Sequence, residues 1–332
     1  MHRKKLMSLA ADRSGLNYLL RNSGTWQGLL VLNYHRIGDP CESKFDHGLW
    51  SAVPEEFESQ VAYLVRHFDV ISLHDLPDVT KRSDGRFVLV TFDDGYIDNY
   101  TLAYPILRKF GCPATFFVTS GFIDQPRVSW WDEIAWMVRS SSLEQLPPSR
   151  WNSQIIEFGA DARETAVRTL LRIYKTLPAT ATHEFLNHLA DATLSGRCPE
   201  TTARAEWMTW DMIREMQDGG MSVGGHTQSH PVLATLDPEH QHEEIAAGLQ
   251  RLECELGQRP TAFSYPVGNH DSFNEITRAC LADEGICWAF SYYGGFSRFP
   301  ILDCFDIPRV AVERDIDMAQ FRSITSYPQM FA

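Results

Sequence analysis

The sequence predicts an α/β fold, a β/α barrel built from one chain of 332 residues. Three observations lead there. Short apolar, β-branched runs recur near residues 29–35, 68–72, 87–92, 114–119, 221–226, 261–265, 286–291 and 307–312. Patterns of helical period separate several of them, the alternation expected of parallel strands joined by helices. Hydrophobic residues form 44% of the chain, enough for a sizeable core, and residues 1–332 read as a single domain.

The first run, Gly28-Leu-Leu-Val-Leu-Asn-Tyr-His35, is apolar without alternation and so reads as a strand buried on both faces. Pro54-Glu-Glu-Phe-Glu-Ser-Gln-Val-Ala-Tyr-Leu64 reads as a helix, with carboxylates in the first turn where the dipole favours them. Arg86-Phe-Val-Leu-Val-Thr-Phe92 is a second buried strand, running into Asp93-Asp94-Gly95. Between residues 125 and 208 the spacing changes to helical periodicity, as in Ala162–Tyr174, and this reads as a helical insertion on the barrel. It opens with Ser129-Trp130-Trp131-Asp132-Glu133 and adds Trp136. Exposed tryptophans would offer faces for sugars, but packing is the expected use of at least two of them. A helix begins near Thr209, and Gly219-Gly-Met-Ser-Val-Gly-Gly225 is a glycine-flanked strand ending at His226.

Two strands thus deliver chemistry-bearing ends to one region, the usual place for catalytic groups in such folds. The first supplies Asp93 and Asp94; the second supplies His226-Thr-Gln-Ser-His230-Pro231. A catalytic metal takes three protein ligands and leaves a position for water, whose pKa it lowers to about 7. Asp94, His226 and His230 fill that count, and Asp93 is left free as a general base. Alone, Asp-Asp-Gly after a strand is ordinary turn chemistry; the set of four carries the inference. A zincin peptidase is excluded, since that chemistry needs Glu directly after the first histidine on a helix, and here Thr227 follows. Pro231 also biases His230 away from helical geometry.

Thr91-Phe-Asp-Asp-Gly95 together with His226-Thr-Gln-Ser-His-Pro231 resembles the polysaccharide deacetylases of carbohydrate esterase family 4, the NodB homology domain. The resemblance implies a distorted, incompletely closed (β/α)₇ barrel that removes an acyl group from an N-acylated sugar. It implies Asp93 as base and a divalent metal, commonly zinc, on Asp94, His226 and His230. Phe263-Ser-Tyr-Pro-Val-Gly268 resembles the family's third motif and implies the Val267 N–H as oxyanion donor. Family members often carry an arginine where this chain has Ser264. Arg309, in Asp306-Ile-Pro-Arg309, resembles the closing strand of members with the Tyr-Pro form and is the candidate to orient Asp93 in its place. The opening run, ending in Tyr34-His35-Arg36, resembles deacetylases with permuted motif order, among them poly-N-acetylglucosamine deacetylases, where a strand-end histidine is the general acid. His35 takes that position, and its ordinary pKa of about 6.5 suits protonation of an amine near neutral pH. The bland readings are a strand-end histidine for His35 and a structural ion pair for Arg309.

Composition narrows the rest. Thirty basic against 43 acidic residues leave a net charge of −13, which disfavours nucleic acid and gives no overall basic surface for anionic lipid, a local patch aside. No segment approaches the roughly 20 apolar residues of a membrane span. Arg3-Lys4-Lys5 is followed by a stretch broken by Asp12, Arg13 and Arg21, unlike a secretory signal, so cytoplasmic residence is the expectation. Seven cysteines at 41, 112, 198, 254, 280, 287 and 304, an odd number without a Cys-x-x-Cys pair, fit reduced thiols. The donor set suits Zn²⁺ and also accepts Co²⁺, Ni²⁺ or Fe²⁺. The expected substrate is an N-acetylated sugar in a glycan, oligosaccharide or lipid-linked intermediate of exopolysaccharide or surface-glycan synthesis. The alternatives are an amidohydrolase or deformylase of a small or lipid-linked amide, and a silent carbohydrate-binding member.

Overall fold

A computed structural model of the chain describes residues 2–24, 26–159 and 161–331, the side chains of residues 2–4 excepted. Nine strands form the main sheet: β1 Gly28–Tyr34, β2 Asp69–Ile71, β3 Arg86–Phe92, β4 Thr115–Val118, β5 Ser222–Gly225, β6 Ala262–Ser264, β7 Trp288–Phe290, β8 Ser297–Arg298 and β9 Arg309–Ala311. Eight of them coincide with the apolar runs of the sequence. The ninth, β8, is a two-residue antiparallel partner of the start of β1, too short to leave a pattern.

The hydrogen-bonded order is β7-β6-β5-β4-β3-β1, with β9 continuing beyond β1 in parallel. β2 shares one edge of β3 with β4. A single bridge between Phe290 and Ile307, with the Ser291 and Ile307 N–H groups donating across it, brings the run back to the segment that enters β9. Seven parallel strands therefore curl into a ring with unequal joints. β1 and β3 pair over seven registers, whereas β5 and β6 share one, Gly225 with Phe263. This is the distorted (β/α) barrel expected of the sequence.

The central strands β1, β3 and β4 are buried on both faces, and their residues form the core: Leu30, Leu32, Val88, Val90 and Phe92 are at or near zero exposure. Outside them, helix Pro54–His67 turns Phe57, Val61 and Leu64 inward. Helix Trp210–Asp218 is capped by the Thr209 hydroxyl, and Pro238–Leu256 by Asp237, each satisfying an otherwise orphaned N–H. Gly224 in β5 lies where a Cβ would meet the Phe117 ring at 2.5 Å, so the strand admits no side chain there. Segment 125–208 holds helices Trp130–Ser140, Arg163–Thr176 and Ala179–Ala192 and a small ribbon, Gln145–Leu146 with Ile156–Glu157. Among the described residues no helix is long and apolar enough to cross a membrane.

Candidate active site

Asp93 and Asp94 leave the end of β3, His226 and His230 follow β5, Ser264 ends β6, and Arg309 opens β9. All six are buried. The backbone that presents them is strained. Five non-glycine residues have positive φ among those described, and four of them, Asp94, Thr227, His230 and Val267, are in these loops. Such conformations cost about 1–3 kcal/mol each and persist where the surroundings over-determine them. At Asp94 (φ 76°) the Gly95 N–H donates to Asp93 O, and at Val267 (φ 65°) the Gly268 N–H donates to Pro266 O. Both are three-residue turns of the rare positive-φ kind. The Val267 N–H itself donates to nothing among the described residues.

Asp94 Oδ1 lies 3.4 Å from Nε2 of His226 and 3.4 Å from Nε2 of His230. It is buried and accepts no hydrogen bond. A tetrahedral site with bonds of about 2.0–2.1 Å has edges of about 3.3–3.4 Å, so these spacings match the ligand edges of a bound cation. The three donor atoms fall within 4.8 Å of one another. His226 Nδ1 meets Ser264 O at 2.7 Å, which fixes Nε2 as the free ligand atom, the outer-shell arrangement typical of metal-binding histidines. Burial, and then His226, push the His230 imidazole down to about 3, leaving it neutral as a ligand must be. Burial alone would lower His226 too, but Asp93 and Asp94 outweigh it and raise its pKa. The residues present fit a divalent metal.

Asp93 belongs to a different network. Arg309 forks onto it, Nη1 to Oδ1 and Nη2 to Oδ2 at 2.8 Å each. Asn33 Nδ2 and Ser264 Oγ each donate to Asp93 Oδ2 at 3.2 Å. Arg309 is fixed in turn by Asn33 Oδ1 at 2.7 Å, Ser264 Oγ at 2.8 Å and Ser291 O at 2.9 Å, with its guanidinium between the Phe117 and Tyr292 rings. Burial would raise the Asp93 carboxyl; Arg309 and His226 hold it well below the ordinary carboxylate range. It is therefore anionic throughout the physiological range.

His35 follows β1, its ring edge-on to Tyr292 with centroids 5.5 Å apart. Its position is set from the Asp94 loop: Asn99 Nδ2 donates to His35 O at 2.7 Å, and Asp98 accepts both Arg36 Nε and the Ile37 N–H. Burial lowers the imidazole pKa, with Asp94 and Asp93 pulling the other way.

Trp130 and Trp131 are buried. Trp130 stacks on Tyr174 with centroids 4.2 Å apart and donates to His230 O at 3.2 Å. Trp131 donates to Tyr96 OH at 2.7 Å and sets its ring 4.4 Å from that of His230. They brace the second histidine and offer no sugar platform. Trp136 is partly buried against the same core. Asn33, Asp98 and Asn99 escaped the sequence reading. The available signal was an asparagine inside an otherwise apolar strand, since a polar side chain buried there must have partners.

The polysaccharide deacetylase family model matches residues 80–144 and 159–286, more than half of the chain. The chain belongs to the polysaccharide deacetylase family. It is 26% identical over 162 residues to the poly-β-1,6-N-acetyl-D-glucosamine N-deacetylase of Escherichia coli (strain K12), covering 44% of this chain and 23% of that one. The chain spans less than half the length of the curated relatives it matches. Among solved structures it resembles the Streptococcus pyogenes deacetylase PplD in complex with acetate, with TM-score 0.60, 19% identity and coverage of 90% of this chain and 98% of the other. It also resembles IcaB from Ammonifex degensii, with TM-score 0.56, 21% identity and coverage of 91% and 97%. At these identities the two structures establish a shared fold.

Proposed function

We propose that this polysaccharide deacetylase family member hydrolyses the N-acetyl group of an N-acetylated amino sugar in a glycan, with Asp94, His226 and His230 holding a divalent metal, Zn²⁺ by preference. The observation that carries the reading is the division of two neighbouring carboxylates. Asp94 Oδ1 faces two histidines, while Asp93 faces Arg309, Asn33 and Ser264. When bound, the metal would polarise the acetamido carbonyl and acidify water. Asp93 receives the water's proton. A carboxylate so well stabilised is a weak base, and its value lies in being ionised and oriented, which the Arg309 fork secures. The Val267 N–H, which has no acceptor among the described residues, serves as donor to the developing oxyanion, a contribution of about 3 kcal/mol in comparable sites. His35 delivers a proton to the departing nitrogen, and acetate and the free amine result.

The poly-N-acetylglucosamine named for the Escherichia coli relative supports a β-linked N-acetylglucosamine polymer or oligomer, in exopolysaccharide synthesis, as the substrate class. Residues 1–332 are read as one catalytic domain with 125–208 as its helical insertion, supported by the apolar core that Trp131, Leu170 and Phe185 share with Phe92 and Val118. Cytoplasmic residence is supported by seven cysteines, all free thiols. The test is acetate release by the Zn²⁺-loaded protein from N-acetylglucosamine oligomers and from nucleotide- and lipid-linked N-acetyl sugars, with Asp93→Asn as blank. Release absent from the blank is expected. No release from any substrate, with metal bound, overturns the reading in favour of another amide or a binding role.

A further inference from the structure

The starts of the barrel strands carry a surface unlike the rest of this acidic chain. Helices His2–Arg13 and Leu16–Asn22 pack there on helix Met318–Ser326, which also meets helix Pro54–His67, and Arg21 donates to Tyr63 OH on the last of these. Asn17 Nδ2 donates to Ser323 Oγ at 3.0 Å, and Arg322 pairs with Asp12 at 2.9 Å. Between these elements lies a cleft of about 600 Å³ whose lining includes Arg21, Arg66, Arg322, His67, Tyr18 and Tyr63. Asp12 is its one acidic residue and is engaged by Arg322. Arg21 lies over the Tyr18 and Tyr63 rings. After burial, it is Arg21, Arg66 and Arg322 that hold the His67 imidazole below its ordinary value, a sign of local positive potential.

The apolar surface beside this cleft is equally uneven. Of fourteen large exposed apolar side chains among the described residues, five fall in one short stretch: Leu6, Leu9, Leu16, Tyr18 and Leu19, with Leu6 at 63% and Tyr18 and Leu19 at 62% exposure. Val65, next in sequence to the cleft-lining Arg66, is a sixth. Exposed Lys5 and Arg13 share the first helix with Leu6 and Leu9. Clustered exposed leucines mark an interaction surface. An isologous contact between two copies would set these arginines against each other. Exposed leucines and a tyrosine on two adjacent short helices, beside an arginine-lined cleft, fit the interface of an anionic bilayer, where apolar groups enter the acyl boundary and basic ones meet the headgroups.

We propose that this face docks the protein on an anionic lipid surface. One consequence concerns substrate and rests on the deacetylase reading above. The cleft sits at the strand starts: helix Pro54–His67 leads into β2, and Arg86, the first residue of β3, donates to Arg21 O. The catalytic groups follow the strand ends. Seven-residue strands rise about 20 Å, so docking holds the mouth of the site about that far from the headgroups and facing away. A glycan chain reaching out from the surface can enter; a single sugar held at headgroup level cannot.

The test is flotation of the full chain with phosphatidylcholine vesicles and with equal mixtures of phosphatidylcholine and phosphatidylglycerol, at low and high salt. Binding to the mixed vesicles only, weakened by salt, is expected. Arg21→Glu/Arg66→Glu should weaken partition at least about thirtyfold, and Leu16→Asp/Leu19→Asp should also weaken it, with circular dichroism and acetate release from soluble oligomers unchanged. No flotation, or equal flotation with both vesicle types, overturns the proposal. So does a soluble dimer that Leu19→Asp dissociates, which would make this face a contact between copies. Loss of flotation leaves the acetate assay untouched, and a negative acetate assay leaves flotation intact, so the two readings fail separately.

Discussion

The two halves of the barrel are built differently, and the candidate site straddles them. On one side β1, β3 and β9 form long or doubly supported strands, with seven registers between β1 and β3. From this half come Asn33, His35, Asp93, Asp94 and Arg309. On the other side β5, β6 and β7 are three or four residues long, and one register joins β5 to β6. From this half come His226, His230, Ser264 and Val267. The rigid half holds the charged pair, whose attraction is useful only while its geometry is kept. The thinner half supplies two imidazoles and a backbone donor, and three of its residues, Thr227, His230 and Val267, are held at positive φ. Across the join, Ser264 is the common member: its carbonyl fixes His226 and its hydroxyl touches both Asp93 and Arg309.

Replacing one member from each half breaks this comparison most sharply. His226→Ala should lose both bound metal and turnover. Asp93→Asn should keep the metal and lower kcat by about 10²–10⁴-fold, the usual worth of a positioned base. Metal content by elemental analysis alongside initial rates decides it. Equal metal loss in both variants would erase the division between the two carboxylates. His35→Gln comes next: kcat should fall by about 10²-fold or more with metal retained, and an unchanged rate would return His35 to a strand-end role.

How much of this was legible in the sequence follows the same line. Strands β1 and β3 announce themselves because burial on both faces leaves an unbroken apolar run. The three candidate metal donors, Asp94, His226 and His230, were legible because each follows such a run in a recognisable motif. Of the girdle around Asp93, Arg309 was named only through the family resemblance and Asn33 not at all, since the girdle depends on which strand neighbours which. Arg309 reaches Asp93 because β9 pairs with β1, which pairs with β3, a ring order that no local pattern encodes. Ser264 registered only as the place where a family arginine is often found. In the fold, its small hydroxyl sits 2.8 Å from the Arg309 Nη2 that reaches Asp93 from the neighbouring side. Asp98 and Asn99 were invisible for a different reason: beside the Arg36 side chain, their partners are the Ile37 N–H and the His35 carbonyl, and a sequence does not mark which backbone groups need a side-chain partner.

The insertion offers a further probe, through a buried acid that serves neither half directly. Asp132 accepts from Tyr96 OH at 2.6 Å, Ser129 Oγ at 3.1 Å and the Asp46 N–H at 2.9 Å, yet burial raises its carboxyl to about 7 despite Arg36 nearby. The unfolded value is about 3.9, so between the two the native state binds more protons and stability falls as pH rises. Its contribution is fully present below about pH 4 and lost as pH passes about 7, at most about 4 kcal/mol. Denaturant titrations at pH 5 and pH 8 should show wild type losing more stability than Asp132→Asn over that interval. Parallel loss in the two would remove Asp132 as the cause.

The smallest expected effect tests whether strain in the thinner half is functional. Val267 has φ 65° and a β-branched side chain, the combination that backbone sterics penalise most. Val267→Gly removes the Cβ penalty and should raise stability by about 1 kcal/mol, less the entropy that glycine adds to the unfolded chain. If the strained turn serves to hold the Val267 N–H in place for an oxyanion, the same change should lower kcat with little effect on KM, because a looser donor loses interaction in the transition state alone. Higher stability with an undiminished kcat would mean that the turn is only a way for the chain to leave β6, and that the oxyanion is stabilised elsewhere in the site.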